Sequence, residues 1–175
     1  LSIKLLFPYP TGAWTDEGTN YLHAERHHTT LSQPAPGMAV LQRRLDTTEY
    51  FVGLKWKGTA MVKEKEKHSF LLTPRGANTF SFTASFIQPK KPVAELDYAT
   101  AKGTSAIAWQ HFWQSGGAID FSGSTDKRAA ELERRIILSQ YLMKAQEAGD
   151  FPPQETGLTY NSWFGKPHLE MTWWH

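Results

Sequence analysis

A stretch near the end of the chain, residues 153–175, concentrates polar, ionisable and aromatic residues. Its sequence is PQETGLTYNSWFGKPHLEMTWWH, which combines carboxylates, amides and histidines with tryptophans. Carboxylates and amides hydrogen-bond to hydroxyl groups, and tryptophan faces pack on the C–H groups of a sugar ring. Pro167 predicts a helix that begins near His168, and a helix start would add backbone N–H donors. The stretch therefore predicts a site for a polyhydroxylated ligand.

Two carboxylates in this stretch, Glu155 and Glu170, have the chemistry that a glycosidase needs. One carboxyl group protonates the leaving oxygen, and the other acts as a base or a nucleophile. A glutamate in a turn or in the first turn of a helix can also be a cap or a surface charge. Spacing alone leaves both interpretations open, and Glu170 is the candidate catalytic residue of the chain.

The histidines raise the question of a metal site. His168 and His175 are seven residues apart, which places them two helical turns from each other, and His23, His27 and His28 cluster in a predicted loop. The chain has no cysteine and no HExxH spacing, so we predict neither a metal nor a cofactor. The sequence also lacks the GxGxxG and GxxxxGK[ST] motifs of nucleotide sites and the GxSxG motif of serine hydrolases.

Composition excludes several partners. The net charge is only +2, with 19 Lys and Arg scattered among 17 Asp and Glu, so no nucleic-acid partner is expected. No apolar run is long enough to span a bilayer, so no membrane partner is expected either. The alternating charges of residues 63–67 indicate a solvated hairpin tip. Seven tryptophans serve first as core residues and second as flat platforms for ligands.

The elements that must position the candidate site are predicted from periodicity. The chain opens with strand-like sequence, and residues 38–86 alternate with period two. Tyr50, Val52, Leu54 and Trp56 share one face of a strand, and the alternation recurs over 80–86. Short strands at regular spacing with tight turns predict an antiparallel sandwich or barrel.

Two helices are predicted after the strands. The first starts at Asp97, carries an apolar stripe that includes Trp109, Phe112 and Trp113, and stops at residues 116–117. The second covers 126–148, with Thr125 as N-cap and Gly149 as C-cap. Its apolar residues cover more than one stripe, which predicts neighbours on both sides. We expect both ends of the chain to be truncated, because it begins without Met and ends inside an apolar stretch.

Residues 131–175, with the sequence ELERRIILSQYLMKAQEAGDFPPQETGLTYNSWFGKPHLEMTWWH, resemble a stretch of the six-hairpin glycosidases. These are (α/α)6-barrel enzymes that include the maltose and trehalose phosphorylases and kojibiose-type enzymes. The resemblance implies an α+β chain in which an antiparallel β-sandwich (1–92) is followed by a linker helix (93–120) and by the first helices of an (α/α)6 catalytic barrel (121–175).

The resemblance also implies the activity. The parent enzyme would cleave the glycosidic bond of an oligosaccharide or glycoside by inverting acid–base hydrolysis or phosphorolysis, in an extracellular or periplasmic setting. The general acid would lie beyond His175, so the isolated chain is expected to be inactive. The implied substrate-binding residues are Trp163, Phe164, Lys166, His168, Glu170, Trp173 and Trp174.

Two other interpretations remain. The β-sandwich could be a non-catalytic carbohydrate-binding module that holds a glycan through Trp14, Trp56 or Tyr50 on an exposed face. Alternatively, the chain could be a structural domain without a ligand, with its tryptophans in the core, because a fold does not by itself imply a function.

Overall fold

A computed structural model of the chain describes residues 1–16, 18–76, 78–89, 96–160 and 163–170. The chain divides into two compact units, and the division falls within a helix. The first unit comprises Leu1–Tyr9 and Asn20–Ala108, and the second comprises Pro10–Thr19 and Trp109–His175. The boundaries predicted after residues 92 and 120 stay predictions, and the first of them lies outside the described residues.

The first unit is built on seven antiparallel strands in two sheets. One sheet has three strands in the order β1-β6-β5, and the other has four in the order β2-β3-β4-β7. The strands are β1 Ile3–Leu6, β2 His27–Ser32, β3 Met38–Leu45, β4 Thr48–Trp56, β5 Ala60–Glu66, β6 Ser69–Pro74 and β7 Phe82–Ile87. A single 3-10 turn, Ala24–Arg26, precedes β2.

Alternating apolar residues from both sheets form the core of this unit, as the period-two pattern predicts. In β4 the predicted inward residues Val52, Leu54 and Trp56 are buried. Residues 63–67 are exposed, as predicted, but only Lys67 lies in the turn of the β5–β6 hairpin, because residues 63–66 still belong to β5. The buried cluster contains Phe7, Ala39, Leu41, Val52, Leu54, Trp56, Val62, Phe70 and Leu72. The chain is therefore α+β with a β-sandwich-like part.

Two details of the predicted strands are wrong. His27 and His28 were expected in a loop, but they begin β2, because the following Thr and Leu residues favour extended backbone and pair along β3. Phe86 was expected on a buried face of the last strand, but it is exposed although it lies opposite the buried Val52. The reason is that β7 is the edge strand of its sheet, so it has a neighbour on one side only.

The first predicted helix is confirmed as α1, Tyr98–Gln114. Asp97 precedes α1, and its Oδ1 accepts a hydrogen bond of 2.9 Å from the Thr100 backbone N–H, which satisfies a free donor of the first turn. The hydrogen bonds from Thr100, helped by Lys57, lower the pKa of the Asp97 carboxyl to about 2. The helix ends just before Gly116, as predicted.

The second helix is shorter than predicted at its start. It comprises α2, Ala129–Leu142, followed by a π-helical turn, Met143–Glu147. Thr125 is not its N-cap, because the Asp126 carboxylate holds the Arg128 backbone N–H at 2.8 Å and delays the helix by a turn. Gly149 is not a left-handed C-cap either, because the chain already leaves the helix at Ala148 in an extended conformation. No residue of α2 is buried, and Leu132, Leu138 and Tyr141 are exposed. Within the described ranges, no helix is long and apolar enough to cross a membrane.

Candidate functional site

The loop after the π-helical turn closes on itself through one short backbone bridge. Gln154 and Pro167 pair in an antiparallel bridge, and the Glu155 N–H donates to the Lys166 carbonyl at 3.2 Å. The bridge brings the two ends of the loop together, so Glu155 and the residues after Lys166 lie side by side. Residues that are far apart in the sequence can therefore share one site.

A run of left-handed backbone reverses the chain inside this loop. Trp163, Phe164 and Gly165 have φ values of 46°, 58° and 66°. A residue other than glycine held in this region costs about 1–3 kcal/mol, and such strain is concentrated at functional sites. The predicted third helix is not seen at residues 168–170, of which 169 and 170 form a turn, while 171–175 lie outside the described residues.

Side-chain amides fix the rest of the loop. Gln146, in the π-helical turn, presents one oxygen to the backbone N–H groups of Leu158 and Thr159, each at 3.1 Å, and to the Thr159 hydroxyl at 3.1 Å. Gln154 donates to the Gly157 carbonyl and, at 3.3 Å, to the Tyr160 carbonyl. These bonds tie the loop to the end of the helical segment, so the loop conformation depends on the two amides.

An aromatic platform lies at the turn. The indole ring of Trp163 stacks on the imidazole of His168, with ring centroids 6.3 Å apart and planes 16° apart. The ring of Phe164 lies 6.0 Å from the indole at a tilt. Trp163 is 51% exposed, so part of this ring faces solvent. A half-exposed indole supported from below is the kind of surface on which a sugar ring packs.

Two carboxylates flank the imidazole of His168. Its Nδ1 lies 3.6 Å from an oxygen of Glu155, and its Nε2 lies 3.9 Å from an oxygen of Glu170. The Nδ1 atom is buried and makes no hydrogen bond within the described part of the chain. One carboxylate therefore lies beside each nitrogen of the imidazole ring.

The structure brings four of the predicted site residues together. Trp163, Phe164, His168 and Glu170 come together, and Glu155 joins them from the other end of the loop. Lys166 contributes backbone hydrogen bonds that close the turn. Trp173 and Trp174 lie outside the described residues.

Comparison with protein families, with curated proteins and with solved structures found no match to this chain.

The rings expected for a sandwich-borne glycan site do not form an exposed platform. Trp56 is only 8% exposed and belongs to the core, so its predicted place on an exposed face is wrong. Tyr50 is half-buried, with Phe86 stacked 6.5 Å from its ring. Trp14 is 67% exposed but belongs to the second unit. Among the described residues, no group of three or more His, Asp or Glu side chains is arranged to hold a metal ion.

The sequence did not reveal a polar cluster inside the β-sandwich, formed by Arg43, His27, Thr29 and His68. Arg43 is completely buried, and its Nη1 donates at 2.7 Å both to His27 Nδ1 and to the Thr29 hydroxyl. Thr29 Oγ1 lies 2.8 Å from His68 Nδ1, and His68 Nε2 donates at 2.7 Å to the Ala24 carbonyl. A guanidinium only donates, so His27 Nδ1 is an acceptor and this imidazole is neutral. The Ala24 carbonyl only accepts, so His68 Nε2 carries a proton, and burial, which lowers the pKa of His68, favours its neutral form with Nδ1 as the acceptor.

Burial is the main cause of the lowered pKa values of the two imidazoles in this cluster. Burial first, and then the neighbouring His68 and Arg43, lower the pKa of His27 to about 4. Burial also lowers the pKa of His68. One sequence signal could have revealed the cluster: Arg43 follows Ala39 and Leu41 at period two, which places a cation on the core face of β3.

Proposed function

We propose that this chain is part of a carbohydrate-active enzyme that cleaves glycosidic bonds, and that it contributes substrate-binding residues. The observation that carries the proposal is the stack of Trp163 on His168, flanked by Glu155 and Glu170. A neutral sugar ring would pack on the free part of the indole face. Its hydroxyl groups would donate hydrogen bonds to the carboxylates.

The charges of the site favour a neutral, hydroxyl-rich ligand. The carboxylate of Glu170 is largely exposed, and that of Glu155 faces the same imidazole from the other side. Two carboxylates disfavour a sugar that itself carries a negative charge, whereas they accept hydrogen bonds from hydroxyl groups. The left-handed backbone at Trp163 and Phe164 holds the indole in place before a ligand arrives.

The resemblance to six-hairpin glycosidases indicates which reaction the enzyme would catalyse and where its catalytic groups would lie. In that scheme α1 is the linker helix, α2 opens the (α/α)6 barrel, and the general acid comes from a later barrel helix. The exposed apolar side chains Leu132, Leu138 and Tyr141 of α2 would pack against further helices. Glu170 is the candidate catalytic carboxylate within the chain, and the bond is cleaved by inverting hydrolysis or phosphorolysis.

Binding of neutral oligosaccharides to the chain tests the proposal. Maltose, trehalose and cellobiose are titrated into the wild-type protein and into Trp163→Ala by isothermal calorimetry. We expect millimolar binding of at least one sugar, and a loss of about tenfold or more in the variant, because the ring supplies most of the apolar contact.

Trp14→Ala is the matched control, because it removes an exposed indole from the same unit without touching the loop. Its affinity should equal that of the wild type. An unchanged affinity in Trp163→Ala together with a loss in Trp14→Ala would overturn the proposed site.

A further inference from the structure

The segment of chain that connects β1 with β2 passes from one sheet to the other. Its two ends, residues 7–9 and residues 20–26, belong to the first unit and are called the crossover ends below. The Tyr9 backbone N–H donates to the Asn20 carbonyl at 2.8 Å. The two crossover ends are therefore joined to each other.

Arg43 and His27, in the buried polar cluster, hold the first of the crossover ends. Nη2 of Arg43 donates to the Pro8 carbonyl at 3.0 Å, and its guanidinium carbon lies 4.8 Å from the centre of the Phe7 ring. The Tyr9 ring stacks on the imidazole of His27, with centroids 5.6 Å apart. Each residue from 7 to 9 therefore contacts this cluster.

His68 contacts both crossover ends. Its Nε2 donates to the Ala24 carbonyl at 2.7 Å, and its carbonyl accepts a hydrogen bond of 3.1 Å from the Phe7 backbone N–H. In addition, the Tyr9 hydroxyl donates to the carboxylate of Asp46. These are individual bonds, whereas β2 pairs with β3 along its whole length. The crossover ends can therefore separate from the sandwich at a lower free-energy cost than unfolding of the sheets.

His27 is the group through which acid acts on these contacts. Its Nδ1 accepts a hydrogen bond of 2.7 Å from Nη1 of Arg43, so Nδ1 is the atom that takes up a proton. The added N–H group would face the N–H donor of the guanidinium, and two positive charges would lie side by side. Movement of the imidazole relieves this repulsion but breaks its stack with Tyr9. Movement of the guanidinium relieves it but breaks the hydrogen bond to Pro8.

The other charged groups around His27 do not remove this repulsion. The titratable and charged neighbours are His28 of β2, Arg43 of β3, Lys67 and His68 of the β5–β6 turn, and Tyr9 of the crossover ends. Two carboxylates at the edge of the cluster bind other groups. Asp46 accepts from the Tyr9 hydroxyl, and Glu64 accepts from the His68 backbone N–H at 3.3 Å.

We propose that the crossover ends form an acid-sensitive switch, in which protonation of His27 releases residues 7–9 and 20–26 while β2, β3 and β4 stay paired. Release would expose the buried rings of Phe7 and Tyr9. This inference does not rest on the proposed function, because none of its residues belongs to the cluster of Trp163, His168, Glu155 and Glu170.

The direction of the pH effect follows from the two forms of the chain. Burial is the main reason that the pKa of His27 is about 4 in the closed form. Water reaches the imidazole after release, so its pKa rises towards the ordinary value of about 6.5. The released form therefore binds protons more tightly, and acid favours it. Between pH 7 and about pH 4.5 the opening constant should rise about tenfold or more.

Native-state hydrogen exchange, followed by ¹⁵N nuclear magnetic resonance at these two pH values, tests the switch. Observed rates are divided by the intrinsic rates of unstructured peptides, which removes the chemical effect of pH on exchange. The backbone N–H groups of Phe7, Tyr9 and Arg26 report on the crossover ends, and those of β3 and β4 report on the sheet. We expect faster exchange at the crossover ends, with little dependence on low concentrations of urea, because release exposes little surface.

His27→Gln keeps an acceptor for Arg43 but does not take up a proton. Its crossover ends should therefore show a rise in the opening constant of less than about threefold on acidification. His28→Gln removes an exposed imidazole from the same strand and should keep the full rise. The wild-type exchange rates decide the proposal even if His27→Gln does not fold.

Three results would overturn the proposal. The first is exchange at the crossover ends with the same rate and the same urea dependence as in β3 and β4, because the chain would then open only by unfolding as a whole. The second is an opening constant at the crossover ends that is the same at both pH values. The third is an equal rise in the wild type and in His27→Gln.

Discussion

The imidazole rings of His27 and His68 stack in the interior of the β-sandwich, with centroids 3.6 Å apart and planes 27° apart. Both rings are buried beside the guanidinium of Arg43, and both are neutral in the hydrogen-bond arrangement described above. Lys67 adds further positive charge to the surroundings of His27. Protonation of either ring would bring a second cation into this buried cluster.

The first prediction concerns pH. The folded-state pKa of His27, about 4, lies below the value of about 6.5 expected in the unfolded chain. Between these values the unfolded state binds more protons, so stability is fully present above pH 6.5 and falls as the pH is lowered towards 4. We expect a loss of about 2 kcal/mol from His27, after allowing for partial screening by water. Urea unfolding at several pH values measures it.

His27→Gln and His28→Gln form the matched pair for this measurement. Glutamine at residue 27 keeps an acceptor for Arg43 but does not titrate, so the pH dependence should flatten. His28 is exposed, and its replacement should leave the pH dependence intact. An equal effect of the two substitutions would contradict the assigned role of His27.

The second prediction concerns Arg43. Arg43→Ala removes donors from His27, Thr29 and the Pro8 carbonyl, and it also removes the cation 4.8 Å above the Phe7 ring. Because buried acceptors then lose their partners, we expect a destabilisation of about 3 kcal/mol. The exposed side chain of Arg44 forms an ion pair with Glu49. Arg44→Ala should therefore lower the free energy of unfolding by less than about 1 kcal/mol. If Arg43→Ala and Arg44→Ala lower the free energy of unfolding by similar amounts, the buried contacts of Arg43 do not have the effect assigned to them.

The third prediction concerns Gly37, the residue before β3. Its φ is +73°, and a Cβ there would lie 2.7 Å from the Trp56 carbonyl oxygen. Gly37→Ala should therefore destabilise the sandwich by about 2 kcal/mol or more. Gly58→Ala shares the positive φ of +85° but has open space around the new methyl group, so it should cost about 1 kcal/mol. Thermal unfolding compares the stabilities of the two variants. A smaller loss of stability in Gly37→Ala than in Gly58→Ala would contradict the predicted clash with the Trp56 carbonyl.

The fourth prediction concerns Gln146, which positions the loop without belonging to the Trp163 cluster. Gln146→Leu removes the acceptor shared by Leu158 and Thr159, and we expect about tenfold weaker sugar binding with little change in helix content. Gln146→Glu keeps an oxygen acceptor and should rescue the affinity. Failure of this conservative variant to rescue would show that the three hydrogen bonds do not set the loop geometry.

Much of the fold could be predicted because it follows from local patterns. The alternation of Val52, Leu54 and Trp56 gave β4, and the apolar spacing of Trp109, Phe112 and Trp113 gave α1. Those features depend on residues close in the sequence. The helix start at Ala129 was not predictable in this way, because the side chain of Asp126 competes with helix formation for the same N–H groups.

The candidate site was predictable in composition but not in arrangement. The types of Trp163, His168 and Glu170 indicated a sugar site, yet the contact of His168 with Glu155 depends on the bridge between Gln154 and Pro167. The buried Arg43 cluster depends on pairing between β2 and β3, and on a hairpin turn that directs His68 inwards with a φ of 62°. The period-two pattern places Arg43 on the core face of β3, but it does not show which residues of other strands meet it there.

The most direct test of glycosidic-bond cleavage uses the protein encoded by the complete open reading frame. It measures the anomeric form of the sugar that this protein releases. Proton nuclear magnetic resonance of maltose, trehalose and cellobiose reactions, with and without phosphate, should show cleavage of one sugar with inverted configuration. Trp163→Ala should lower kcat/KM about a hundredfold, while Trp14→Ala should leave it unchanged. A protein that binds these sugars but cleaves none, and loses binding in Trp14→Ala rather than Trp163→Ala, would contradict the account and favour a non-catalytic carbohydrate-binding module.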